Sequence, residues 1–183
     1  MKIKYRWFYT SSGKLVLAGK NAEQNEELVK QARKNNIILH TKAPGSPFCI
    51  LKGKVGISDI KEAAIFCACF SQGWKQKKKE MEVHIFKKEQ VIKEKKQKTG
   101  TFSVLGKVQK AKVRLKLCLK IQKKKIRAVP ITKSKCLAIL VPGKLSKEKI
   151  AERIKEILKK KFKKEFSKEE IMQAIPAGGF SIK

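Results

Sequence analysis

Val113-Arg-Leu-Lys-Leu-Cys-Leu-Lys120 decides the fold class. Val113, Leu115, Leu117 and Leu119 fall on every second position, and Arg114, Lys116 and Lys120 take most of the positions between them. A period of two marks a strand with one buried and one solvated face, and here the solvated face is basic. After Lys123-Lys-Lys125 the run Ile126 to Val129 pairs with it as a hairpin, and Leu137 to Val141 is a further strand. Pro142-Gly143 breaks the chain. Ser146 then caps a long helix with Ile150, Ile154, Ile157, Leu158 and Phe162 at helical spacing. Ser167 and Glu170 form a capping box for a short helix that ends before Pro176, and Phe180-Ser-Ile is a terminal strand.

On the other side of the opening stretch, Tyr5 to Tyr9 and Leu15 to Ala18 read as strands joined by the Ser11–Gly13 turn. Asn21 caps the next helix, with Gln24 three residues on, and Leu28, Val29 and Ala32 form its apolar stripe. Ile37 to Leu39 and Phe48 to Leu51 are short strands around the loop Thr41-Lys-Ala-Pro-Gly-Ser-Pro47. Ser58 caps a helix that is small or apolar on most sides and is therefore buried. Glu82 to Phe86, Val91-Ile92 and Thr101 to Lys107 are the remaining strand candidates. The prediction is an α+β fold: a mixed, mainly antiparallel sheet with helices packed on one face, and a smaller C-terminal α/β extension. Residues 1–120 form the core and residues 121–183 the extension packed on it, with Ile121 to Lys125 as the seam.

The charge is extreme. The 183 residues carry 46 Lys and Arg against 15 Asp and Glu, a net charge of +31. A lysine-rich genome bias would raise Glu as well, and the acids are sparse. Such self-repulsion is relieved by a polyanion, nucleic acid ahead of an acidic membrane surface. The cations are mostly Lys, which suits attraction to phosphates better than reading of bases. A hydrophobic content of 42% places this charge on a folded body. No apolar run approaches the ~18 residues that span a bilayer, and Met1 to Phe8 lacks a signal-peptide core. A cytoplasmic location without a membrane partner is expected.

Five cysteines, Cys49, Cys67, Cys69, Cys118 and Cys136, include no C-x-x-C pair. An odd count without that spacing argues against a disulfide framework and against structural zinc, and Cys67 and Cys69 read as small core residues. No nucleophile–base pair, paired-carboxylate motif or metal-ligand spacing is visible, so no catalytic residue, metal or cofactor is expected. Gly19-Lys20-Asn21 lies where a strand passes into a helix. Free N–H groups there attract anions, and an ordinary capped turn explains the residues equally well. His40 beside a Pro-Gly loop is structural in most settings. Trp74, next to a lysine cluster, either stacks on a base or plugs the end of the buried helix.

Taken in order, several pieces resemble the RNA-binding domain of the NFACT family, the module of ribosome-quality-control factors that modify stalled nascent chains. They are Arg6-Trp-Phe8, Leu17-Ala-Gly-Lys-Asn-Ala-Glu-Gln-Asn-Glu26, His40-Thr41 with Pro44-Gly45-Ser46, Glu62-Ala-Ala64, Ser71 through Trp74, and Lys98-Thr-Gly-Thr-Phe102 with Gly106-Lys107. Val141-Pro-Gly143 and Ile175-Pro-Ala-Gly-Gly-Phe180 resemble the C-terminal portion of archaeal members. The N-terminal domain, helix-hairpin-helix elements and coiled-coil arm of full-length members find no match, so the resemblance points to a standalone archaeal-type version, and nascent-chain tailing is not carried over. It implies a non-enzymatic RNA-binding module for tRNA or ribosomal RNA. The contacts fall on Lys20, Asn21, Gln24, Asn25, His40, Thr41, Lys42, Gly45, Ser46, Trp74, Lys98, Thr99 and Lys107. The large ribosomal subunit or an RNA-modification enzyme are candidate partners. The alternative reading is an accessory subunit that delivers RNA to such an enzyme.

Overall fold

The computed structural model describes residues 4–183; residues 1–3, part of the segment searched for a signal peptide, lie outside the described residues. Six strands form one antiparallel sheet: β1 (Arg6–Tyr9), β2 (Leu15–Ala18), β3 (Ile37–Thr41), β4 (Cys49–Leu51), β5 (Glu80–Lys87) and β8 (Gln109–Arg114), in the order β1-β2-β4-β3-β5-β8. β6 (Val91–Ile92) and β7 (Ser103–Val104) form a short ribbon beside it. A second antiparallel sheet runs β10 (Lys125–Pro130), β9 (Leu117–Gln122), β11 (Ala138–Leu145), β12 (Phe180–Ile182).

The α+β class and the antiparallel pairing match the sequence reading, and the helices take both faces of the six-stranded sheet rather than one. α1 (Ala22–Gln31) lays Leu28 and Val29 on the face that carries Trp7, Leu17, Ile38 and Ile50. α2 (Ile57–Cys69) covers the opposite face, against Phe8, Val16, Leu39 and Val83. This double cover explains why Leu15 to Ala18 reads as an unbroken apolar run: a strand buried on both sides has no wet face to alternate with. α2 is capped through Asp59, whose Oδ2 accepts the Gly56 N–H at 2.9 Å, rather than by Ser58.

Val113 to Lys120 is not one strand. It leaves β8 at Leu115-Lys116 and joins the second sheet as β9. Val113, Leu115, Leu117 and Leu119 nevertheless all point into one continuous core, which also takes Ile150, Ile154 and Leu158 of α4 (Lys147–Phe162) and Ile171 of α5 (Lys168–Ala174). The passage between sheets therefore lies at Leu115-Lys116, and residues 121–125 sit inside the second sheet, with Lys123 and Lys124 as a two-residue hairpin turn at φ 49° and 59°. Gln122 ties the sheets together. Its amide lies along the edge of β1, taking the Tyr9 N–H on Oε1 (2.9 Å) and donating Nε2–H to the Tyr9 carbonyl (2.8 Å).

Three further expectations change. Cys118 and Cys136 form a disulfide, because β9 and the lead into β11 bring their Cα atoms to 5.5 Å. β11 runs through Pro142-Gly143 with a bulge instead of breaking, and a side chain at Gly143 would overlap the Phe180 backbone. Only Ser103–Val104 of the expected Thr101–Lys107 strand forms. The two caps of the C-terminal helices are as read: Ser146 Oγ accepts from Lys149 N, and Ser167 and Glu170 hold each other's N–H. No helix among the described residues is long and apolar enough to cross a membrane.

Candidate nucleic-acid interface

Three loops meet at one end of the α1 face. The first is the β2–α1 turn. Gly19 donates its N–H to Phe48 O (3.2 Å) and accepts Arg6 Nη1–H on its carbonyl (2.8 Å). Buried Asn25 joins this turn to the second loop: its Nδ2 donates to Ser46 O (3.3 Å) and its Oδ1 accepts the Phe48 N–H (3.0 Å). A Cβ at position 19 would overlap that amide, so the turn needs glycine. Asn21 Oδ1 caps α1 by accepting Gln24 N–H (2.9 Å), and Gln24 Oε1 takes the Lys20 N–H (3.1 Å), one residue earlier than a standard capping box.

The second loop, residues 42–48, is fixed from beneath. Buried Thr41 donates to Ser46 Oγ (2.6 Å). His40 stacks on Phe48 with centroids 4.0 Å apart, and Nδ1 lies 3.0 Å from Pro47 O. A carbonyl only accepts, so Nδ1 carries the proton and Nε2 is the free acceptor. Burial pulls the His40 pKa down, with the Pro47 bond opposing and His84 adding, which keeps the ring neutral. Gly45 adopts φ +72°, and Gln72 Nε2 reaches its carbonyl at 3.4 Å.

The third loop runs from Lys98 to Phe102. Lys93 Nζ binds Glu26 Oε2 (2.9 Å), Lys98 O (2.7 Å) and Thr101 O (3.2 Å), while the Gly100 N–H donates to the same Glu26 oxygen (2.9 Å). Hydrogen bonds from Lys93, then Lys30 and Gly100, draw the Glu26 carboxyl down to about 2. Phe102 meets Phe48 edge-on at 5.2 Å.

Between these loops lies a cleft of about 590 Å³. Its charged lining residues are Arg6, Lys20 and Lys75, and no carboxylate lines it among the described residues. Burial, then the charges of Arg6 and Arg127, pull the Lys20 pKa down, which marks a site short of negative charge. The β5–β8 face differs. There Lys110 pairs with Glu82 (3.2 Å), Lys112 with Glu80 (2.9 Å) and Arg114 with Glu80 (3.3 Å).

Of the residues singled out in the sequence, Lys20, Asn21, Asn25, His40, Gly45, Ser46 and Thr99 line the cleft together. Gln24 works as part of the cap behind it, and Thr41 is wholly buried beneath Ser46. Lys42, Lys98 and Lys107 are exposed outside its lining. Trp74 is not a surface for a base. It is fully buried, donates Nε1–H to Gly179 O (3.0 Å) and packs on Phe180 at 5.5 Å, so it plugs the end of α2 and α3 (Gln72–Lys75). Cys67 and Cys69 are likewise buried, and burial pushes the Cys69 thiol far up, away from the thiolate that nucleophilic chemistry needs. The sequence reading missed Arg6, Lys75, Thr101 and Phe102 as lining residues. Arg6 had a signal: it is one of few arginines, and it interrupts an otherwise aromatic strand.

The family model for the NFACT protein RNA binding domain matches residues 4–106. The archaeal Rqc2 homolog aRqcH of Methanocaldococcus jannaschii is 34% identical over 94 residues, 49% of this chain and 14% of that protein. Ribosome quality control complex subunit NEMF, from Mus musculus and from Homo sapiens, is 29% identical over 76 residues, 39% of this chain and 7% of NEMF. This chain thus spans a small part of the length of these relatives. The C-terminal part of the fibronectin/fibrinogen-binding protein of Streptococcus suis superimposes with a TM-score of 0.56 over 62% of this chain and 46% of that one, at 21% identity, a likeness of fold alone. With the three loops assembled around one cleft and the family match covering more than half of its length, this chain belongs to the NFACT RNA-binding-domain family.

Proposed function

We propose that this protein is a non-enzymatic RNA-binding module that acts in the cytoplasm in ribosome-associated quality control, holding tRNA or ribosomal RNA by its backbone in the cleft between the Gly19 turn, the Pro44 loop and the Thr99 loop. The observation that carries this reading is the absence, among the described residues, of any carboxylate from a cleft lined by Arg6, Lys20 and Lys75, in a family whose module is an RNA-binding domain. Phosphates are the counter-charge such a lining lacks. The exposed α1 N-terminus adds backbone donors beside Asn21. The Rqc2 and NEMF relatives supply the ribosomal setting, with the large ribosomal subunit as the partner this reading favours.

Titration of a labelled tRNA transcript at several salt concentrations tests it. With about six phosphates neutralised, affinity falls on the order of a thousandfold between roughly 50 and 200 mM salt. A flat plot of log affinity against log salt removes the reading.

A further inference from the structure

A second cavity, of about 420 Å³, opens where β1 faces β10, and it shares Arg6, Lys20 and Phe70 with the cleft. Two guanidiniums line it, one from each sheet. Arg6 lies over the Phe70 ring at 5.4 Å, with the Gly19 carbonyl as its hydrogen-bond partner. Arg127 lies over the Trp7 ring at 4.2 Å, and its Nη1 bonds only the carbonyl of the preceding residue (2.9 Å). Neither forms an ion pair with a carboxylate among the described residues, and burial lowers the pKa of both. Both side chains are half-buried, and a guanidinium partly withdrawn from water without an anionic partner carries a desolvation cost that nothing offsets.

The buried polar atoms left without a hydrogen bond among the described residues are Arg127 Nε and the Tyr5 hydroxyl, and both residues line this cavity. The Tyr5 hydroxyl faces Glu27, whose carboxylate also accepts from Lys4 (2.6 Å) and Gln31 (3.1 Å) and helps raise the Tyr5 pKa after burial, so the Arg127 Nε–H is the donor without a protein acceptor among the described residues. Two stacked guanidiniums with donors to spare and an adjacent ammonium, none of them facing a carboxylate among the described residues, are the donor set of a phosphate site.

We infer that this seam is a second phosphate site, in which Arg6, Lys20 and Arg127 seat a phosphate of the same RNA strand that occupies the cleft, so that the C-terminal sheet is part of the RNA interface. The inference rests on the RNA reading and adds to it the strand's path across the seam. Arg127→Gln removes one donor fork. It lowers tRNA affinity about tenfold and reduces the slope of log affinity against log salt by about 0.7–0.9. Arg114→Gln, which removes the same charge from the β5–β8 face, leaves the slope at the wild-type value.

A normal wild-type slope that Arg127→Gln leaves unchanged overturns the seam site alone. A wild-type chain with no salt slope overturns the RNA reading and this inference with it. Where Arg127→Gln does not fold by circular dichroism, nuclear magnetic resonance of the wild-type chain decides. Inorganic phosphate at constant ionic strength shifts the Nε–H signals of Arg127 and Arg6 and spares that of Arg114, and no shift overturns the site. A shift with inorganic phosphate, combined with unchanged tRNA binding by a folded Arg127→Gln, overturns the assignment to an RNA strand.

Discussion

The cleft and the β5–β8 face are both basic, and they are built on opposite rules. On the β5–β8 face each cation has an acid across the strand, as with Lys112 and Glu80 at 2.9 Å, and every member of the set is on the surface. In the cleft, Arg6 and Lys20 have no acid among the described residues, and the groups around them are buried amides, stacked rings and tight turns that hold the loops in place. Net charge is a property of the whole surface. A binding site is where that charge is left unneutralised on a rigid frame.

The largest expected effect is on stability, at the buried Trp74 that supports Gln72 and Lys75 of the cleft from the core. Trp74→Ala costs about 3–5 kcal/mol, a fall of roughly 6–20 °C in melting temperature, because it empties the space under Gly179 and Phe180. Arg114→Ala costs at most about 1 kcal/mol, as exposed ion pairs do. Thermal unfolding of both variants checks this, and a Trp74→Ala chain with native stability and weakened RNA binding would restore Trp74 as a stacking platform. Asn25→Ala comes next. It strands the Phe48 N–H and the Ser46 carbonyl and costs about 2–3 kcal/mol, read from denaturant unfolding.

The functional contrast is smaller in energy. Lys20→Gln weakens tRNA binding about tenfold, equivalent to about 1.4 kcal/mol, and Lys112→Gln less than about twofold. Equal losses in the two variants would break the distinction between the regions. The smallest effect is a pH dependence of the cleft frame. His40 has a folded-state pKa below the ordinary value near ~6.5, so its contribution to stability is full above that value and is lost as the pH falls through the lowered one. Unfolding of the wild-type chain between about pH 7.5 and 5 therefore shows a loss that His40→Phe lacks.

Most of what the sequence makes legible is decided locally, although Ser58 yields the α2 cap to Asp59 one residue on. Asn21, Ser146 and the Ser167–Glu170 pair bond donors within three residues, and the structure finds them as caps. Short loop motifs around Gly19, Pro44 and Thr99 were also visible, as pieces of one resemblance. What stayed hidden was decided at a distance. The alternation of Val113, Leu115, Leu117 and Leu119 is unbroken across two sheets because both sheets share one core, so no change of period marks the crossing. Cys118 and Cys136 meet only through strand pairing that their spacing does not encode. Trp74 had two readings from composition, and Gly179, 105 residues away, chooses between them. Arg127 was one cation among 46 until Trp7 came to lie beneath it.

Chemical footprinting of lysine amines tests the central claim most directly. The chain is acylated with and without saturating tRNA at low salt, and modification is read residue by residue by mass spectrometry. The account predicts strong protection of Lys20 and Lys75 and little change at Lys110 and Lys112. Protection spread evenly over all four, or concentrated on the β5–β8 pair, would contradict it.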